Sequence, residues 1–96
     1  LKTQFPRDRK WRSRSLRQSF KFQVAEAEQW ANRQGLCTDQ IQKVVVEYPL
    51  VHTSDSIAAV WHRPTERIIV HPEWACGIAQ GAALSVLRHE MVHASD

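Results

Sequence analysis

Near the C-terminal end of the chain stand His89, Glu90, Met91, Val92 and His93 in succession. On an α-helix, residues four apart lie one above the other on the same face. Two imidazoles so placed can hold one zinc ion between them. A carboxylate next to the first can take a proton from a water on that ion. His89 and His93 are therefore the candidate metal ligands, zinc is the implied cofactor, and Glu90 is the candidate general base and acid. This chemistry needs a helix beneath it. The run Ile78 to His93 has no proline, is rich in Ala and Leu, and carries Ala79, Ala82, Ala83, Val86 and Leu87 at helical intervals. That pattern predicts one helix over about 79–95.

A catalytic zinc takes three protein ligands and keeps one position for water. The sequence shows no evident third ligand. Asp96, seven residues after His89, faces the same side. It stands about 7.5 Å farther along the axis than the midpoint of the two histidines. Its side chain is short, so it suits orienting His93 or a downstream group better than direct ligation. His52, His62 and His71 are the alternatives within the chain. The motif ends three residues before the last residue given, so the domain is expected to be incomplete at its C-terminus.

The elements that must position these groups are legible as a coarse pattern. A first helix is expected from about Ser19 to Gln34, with Phe20, Val24, Ala27 and Ala31 on one face, Trp30 beside them, and Gly35 as its stop. Gln42 to Tyr48 contains Val44, Val45 and Val46 and reads as a strand ended by Pro49. Ser56 to His62 and Arg67 to His71 read as two further strands. The tight turn Arg63-Pro64-Thr65-Glu66 makes them a hairpin. Glu73 to Gly77 links to the motif helix. Trp30, Trp61 and Trp74 are read as packing residues. The order helix, three strands, helix predicts an α+β domain with helices on one face of a small three-stranded sheet.

Ninety-six residues, 43% of them hydrophobic, suit one small globular domain. No apolar run is long enough to span a membrane, and the first residues lack the apolar core of a signal peptide. Cys37 and Cys76 form no C-x-x-C pair, which favours free thiols and an intracellular setting. Net charge is +3, but it is unevenly spread. Residues 1–21 hold eight Lys and Arg against Asp8, and the remainder holds five against nine acids. The basic run Arg7, Arg9, Lys10, Arg12, Arg14, Arg17 and Lys21, interleaved with Trp11, Phe20 and Phe22, would suit nucleic acid, an acidic protein surface or anionic lipid. Its Arg-rich, acid-poor composition also matches a mitochondrial targeting region. Residues 1–17 are expected to be a flexible or partner-bound extension, and 18–96 the folded domain.

With these residues in view, the chain resembles the zincin metalloproteases, in which a short mixed sheet precedes a helix bearing His-Glu-x-x-His. Residues 42–96 match that order. Two families within it are similar to this chain. The SprT-like proteases resemble Arg67-Ile68-Ile69-Val70-His71-Pro72-Glu73 followed by Leu87-Arg88-His89-Glu90-Met91-Val92-His93-Ala94. The mitochondrial metalloprotease family that processes an ATP synthase subunit carries His-Glu-x-x-His-Ala-x-Asp, as do His89 to Asp96, with Ser95 where that family has an aromatic residue. The resemblance implies a zinc-dependent endopeptidase in which His89 and His93 bind zinc and Glu90 moves the proton. It also implies a substrate-pairing edge strand, expected here at Ile68, Ile69, Val70 and His71. The alternative is a zincin-derived structural subunit of a larger mitochondrial or ribonucleoprotein assembly, without activity.

Overall fold

A computed structural model describes residues 1–48, 58–76 and 82–96. It is an α+β domain, with helices packed on one face of a four-stranded sheet. The long helix α1 spans Arg14–Arg33. It begins earlier than its apolar stripe suggests because Ser13 caps it, the Ser13 hydroxyl accepting from the Leu16 N–H at 3.4 Å. Phe20, Val24, Ala27 and Ala31 form the buried face, as their spacing predicts. Gly35 ends the helix at φ 77°. The Leu36 N–H then reaches the Ala31 carbonyl at 2.9 Å and the Gly35 N–H reaches Asn32 at 3.1 Å. These are the paired bonds of a Schellman stop, which glycine adopts without the Cβ penalty.

The sheet contains strands β1 (Lys2–Gln4), β2 (Lys43–Val46), β3 (Ala59–His62) and β4 (Arg67–Val70) in the order β1-β2-β4-β3. β1 and β4 both run parallel to β2, and β3 runs antiparallel to β4. The β3–β4 hairpin forms around a 3₁₀ turn at Arg63–Thr65, closed by Glu66 in the left-handed region at φ 54°. A short helix α2 (Pro72–Ala75) follows β4, where the sequence suggested only a link, and His71 caps it. The motif helix α3 is described over Ala82–Ser95; Ile78 to Gly81 lie outside the described residues, as do Ser56 and Ile57 of the expected second strand. The core joins Val44, Val46, Ile68 and Val70 of the sheet to Phe20, Val24, Ala27 and Ala31 of α1 and to Ala83, Leu87, Met91 and Ala94 of α3. α1 and α3 lie side by side, with the Arg88 guanidinium 5.2 Å from the Trp30 ring centroid.

Two sequence expectations are corrected. Residues 1–17 are not an extension outside the fold. Lys2–Gln4 adds a fourth strand in register with Lys43–Val45, and Trp11 is 1% exposed. Phe5 stacks on Trp11 with ring centroids 5.5 Å apart and meets Phe20 edge-on. The charged residues between these aromatics hid a segment whose apolar packing comes from Phe5, Trp11 and Leu16. The tryptophans also divide differently. Trp11 is the core one, Trp30 and Trp61 are half-buried, and Trp74 is exposed.

If Trp11 anchors the N-terminal segment, Trp11→Ala should lower the unfolding free energy by about 3–5 kcal/mol. Gly35→Ala, where nothing lies within 4 Å of an added Cβ, should cost only the backbone strain of about 1–2 kcal/mol. Urea titrations followed by far-UV circular dichroism measure both. A Trp11 variant as stable as the parent would return residues 1–12 to the status of a flexible arm.

Candidate metal centre

α3 positions the site through its azimuth. At about 100° per residue, Ala83, Leu87, Met91 and Ala94 share one stripe, and His89 and His93 emerge roughly 110–150° away from it. The stripe is buried and both histidines are exposed. Glu90 falls on the border between them, on the side toward β3. The same geometry puts Arg88 on the opposite border, where it meets α1.

The two imidazoles converge. Their Nε2 atoms lie 3.1 Å apart, with the rings edge-to-face at a centroid distance of 4.7 Å. Two nitrogens bound to one tetrahedral zinc at about 2.05 Å stand about 3.3 Å from each other. The separation is close to that spacing, and in the structure it is that of a hydrogen bond between the two rings, so a bound zinc would take the place of the shared proton after the rings turn to face it. Glu90 is 8% exposed and is the one charged residue among the buried side chains of the described residues. Burial pushes its carboxyl above the ordinary carboxylate range, while His93, His89 and the backbone N–H of Trp61 pull it the other way.

Glu90, His93 and Asp96 share a cleft of about 400 Å³ with Ala59, Val60, Trp61 and Arg63. Asp96 thus stands at the site, its N–H bonded to the Val92 and His93 carbonyls. No third His, Cys, Asp or Glu joins the histidine pair as a metal-binding group among the described residues. His71 is engaged elsewhere: its Nδ1 accepts from the Glu73 N–H at 3.2 Å and its ring meets Tyr48. His62 pairs its Nδ1 with the Thr65 hydroxyl at 2.7 Å. His52 lies outside the described residues.

The edge strand is a further correction. β4, with Ile68, Ile69 and Val70, is an interior strand between β2 and β3, and all three residues are buried. Neither it nor His71 can receive an added strand. The edge beside the site is β3. The His71 N–H bonds the Ala58 carbonyl at 2.8 Å, so by antiparallel alternation Val60 and His62 also face β4. Ala59 and Trp61 turn their backbone N–H and C=O outward, toward the cleft. A signal was available in the sequence: Ile68-Ile69-Val70 is an unbroken apolar run, the mark of a strand flanked on both sides, whereas Ala59 to His62 is mixed. Trp61 and Arg63 were missed as site residues because their contribution depends on which strand is outermost.

No protein-family model matches the chain, and no curated protein and no solved structure matches it. The reading of the site therefore rests on its geometry.

Zinc titration followed by calorimetry, or metal content after dialysis, tests the centre. His89→Ala and His93→Ala should each abolish stoichiometric zinc uptake, since each removes a ligand. Asp96→Asn should weaken affinity by about 10- to 100-fold if Asp96 only orients a ligand. Zinc binding that survives both histidine substitutions would place the metal elsewhere.

Proposed function

We propose that this chain is a zinc-dependent endopeptidase domain of the zincin kind, as its resemblance to those proteases implies. The observation that carries the reading is the His89–His93 pair with Nε2 atoms 3.1 Å apart, beside a buried carboxylate at the edge of a sheet. His89 and His93 would hold the ion through Nε2, with a third ligand from Asp96 or from outside the described residues. When bound, zinc supplies Lewis acidity toward a peptide carbonyl and lowers the pKa of a water. Glu90 takes the proton of the attacking water on its carboxylate and passes it to the leaving amine nitrogen. An extended peptide pairs with β3 through the outward backbone groups of Ala59 and the Trp61 carbonyl, the Trp61 N–H being taken by Glu90, which keeps the scissile bond near that carboxylate.

The decisive variant is Glu90→Gln. It should retain zinc and lose hydrolysis by several orders of magnitude, because it removes the base and not a ligand. Cleavage by that variant at the parental rate would refute the assigned role. A chain that takes up no zinc at micromolar free metal would put the inactive structural-subunit reading first.

The basic segment supports a polyanionic partner, nucleic acid in the first instance. Among the described residues none of its lysines or arginines is in a salt bridge. Arg14 opens α1 and Arg12 precedes it, with no acid in the first turn. Cations there oppose the helix dipole at about 0.3–1 kcal/mol each, a cost that an incoming phosphate would reverse. Lys10 is partly engaged already, the Cys76 side chain beside it raising its pKa. Affinity for a labelled RNA or DNA duplex should fall by orders of magnitude from 50 to 200 mM salt. It should also fall in an Arg7, Arg9, Arg12→Gln triple variant, which leaves Trp11 and the fold in place. Equal affinity of parent and variant would remove the polyanion from this surface.

A further inference from the structure

We propose that Arg63 makes the cleft select peptides bearing a carboxylate two or three residues from the bond that is cut. This rests on the peptidase reading above and names its substrate class. Arg63 follows β3 directly and lines the same cleft as Glu90, His93 and Asp96. It is exposed, and among the described residues it has no ion-pair partner, although Asp96 lines the same cleft.

The backbone that carries this guanidinium is part of a closed turn. Pro64 follows it in the first turn of the 3₁₀ segment. The Glu66 N–H bonds the Arg63 carbonyl at 3.1 Å. His62 and Thr65 close the turn at 2.7 Å, and His62 is in register with Arg67 of β4. A cation presented this way loses little backbone freedom on binding, and the planar guanidinium can take a carboxylate through two parallel N–H bonds. Among the described residues, the cleft lining contains no other arginine or lysine.

Position then fixes what Arg63 reads. A peptide added along β3 lies against the outward groups of Ala59 and Trp61. Arg63 is two residues beyond Trp61, at the first position of the 3₁₀ turn, so its backbone is at most about 7 Å from that of Trp61. The group it meets is therefore displaced from the scissile bond by two or three substrate residues. Two sources supply a carboxylate at that distance: an Asp or Glu side chain, or the free C-terminus of a short peptide. The chemistry of recognition is the same for both.

A peptide library digested by the zinc-loaded full chain, with cleavage sites read by mass spectrometry, tests this. The expected result is enrichment of Asp or Glu, or of free C-termini, at one position within three residues of the cut. Matched peptides carrying Glu, Gln and a C-terminal amide separate the two sources. The acidic peptide should be favoured about 10- to 100-fold in kcat/KM, the range of a charge-assisted hydrogen bond. Arg63→Gln should bring that ratio to about one, and Arg63→Glu should turn it toward Lys and Arg. The Glu90→Gln variant supplies a readout without turnover: its affinity for the acidic peptide, by fluorescence anisotropy, should drop by a similar factor when Arg63→Gln is added. Cleavage without an acidic preference, or with a basic one that would assign the selection to Asp96, overturns the proposal and leaves the peptidase standing. No cleavage of any peptide overturns the peptidase reading and this proposal together.

Discussion

The seating of α3 is the constraint on which the rest of the structure depends. A helix bearing His89 and His93 can converge two imidazoles whatever it packs against, but it can aim them only if its rotation is fixed. Ala83, Leu87, Met91 and Ala94 fix it by filling the space between α1 and the sheet, all four nearly free of solvent. Protein interiors pack densely enough that rotating such a helix by one residue would expose this stripe and bury a charged one. The same rotation that buries Leu87 and Met91 turns the histidines outward and leaves Glu90 at the boundary. The hydrophobic effect thus sets the direction of the polar groups, although none of those groups contributes to the core.

Glu90 shows what that boundary position provides. A fully exposed carboxylate would be a weak base, and one buried deep in the core would be neutral and out of reach. Glu90 is shielded enough for its pKa to rise, yet it stays next to two imidazoles and an edge-strand N–H that favour its charged form. The sheet order supplies the other half of the arrangement. Among the described residues β4 sits between β2 and β3, so the hairpin places β3 outermost and turns the backbone groups of Ala59 and Trp61 away from β4, with the Trp61 N–H meeting the Glu90 carboxylate. An exposed edge is a hazard for aggregation. Here it is short, four residues, and borders a cleft.

Much of this was legible in the sequence, and what was not has physical causes. The motif helix, the buried face of α1 and the three strands follow from apolar spacing, and spacing survives in a single sequence. The strand at Lys2–Gln4 does not. Three residues, two of them exposed, give no alternation to read, and the strand exists because β2 offers it a parallel edge. Trp11 was visible but surrounded by Arg9, Lys10 and Arg12, and local charge density says nothing about which way one indole points. The order of strands is likewise a long-range property. The unbroken apolar run of β4 hinted at it, but adjacency in sequence to the motif helix made β4 look like the outer strand.

The N-terminal segment joins these threads. Its aromatic residues act inward and its cations outward, so one stretch of chain closes the core and charges the surface. Arg17 and Lys21 approach the Phe5 ring at 5.5 and 6.0 Å, which lets two of the cations share the packing without leaving solvent. That coupling has a consequence for evolution as well as for stability. The segment cannot be trimmed to remove its charge without opening the space that Trp11 fills, whereas the exposed Arg7, Arg9 and Arg12 can be exchanged at little cost to the core. Trp30–Arg88 ties the C-terminal half of α1 to α3, and the bond from the Cys37 N–H to the Ser95 hydroxyl ties the segment after α1 to the end of α3.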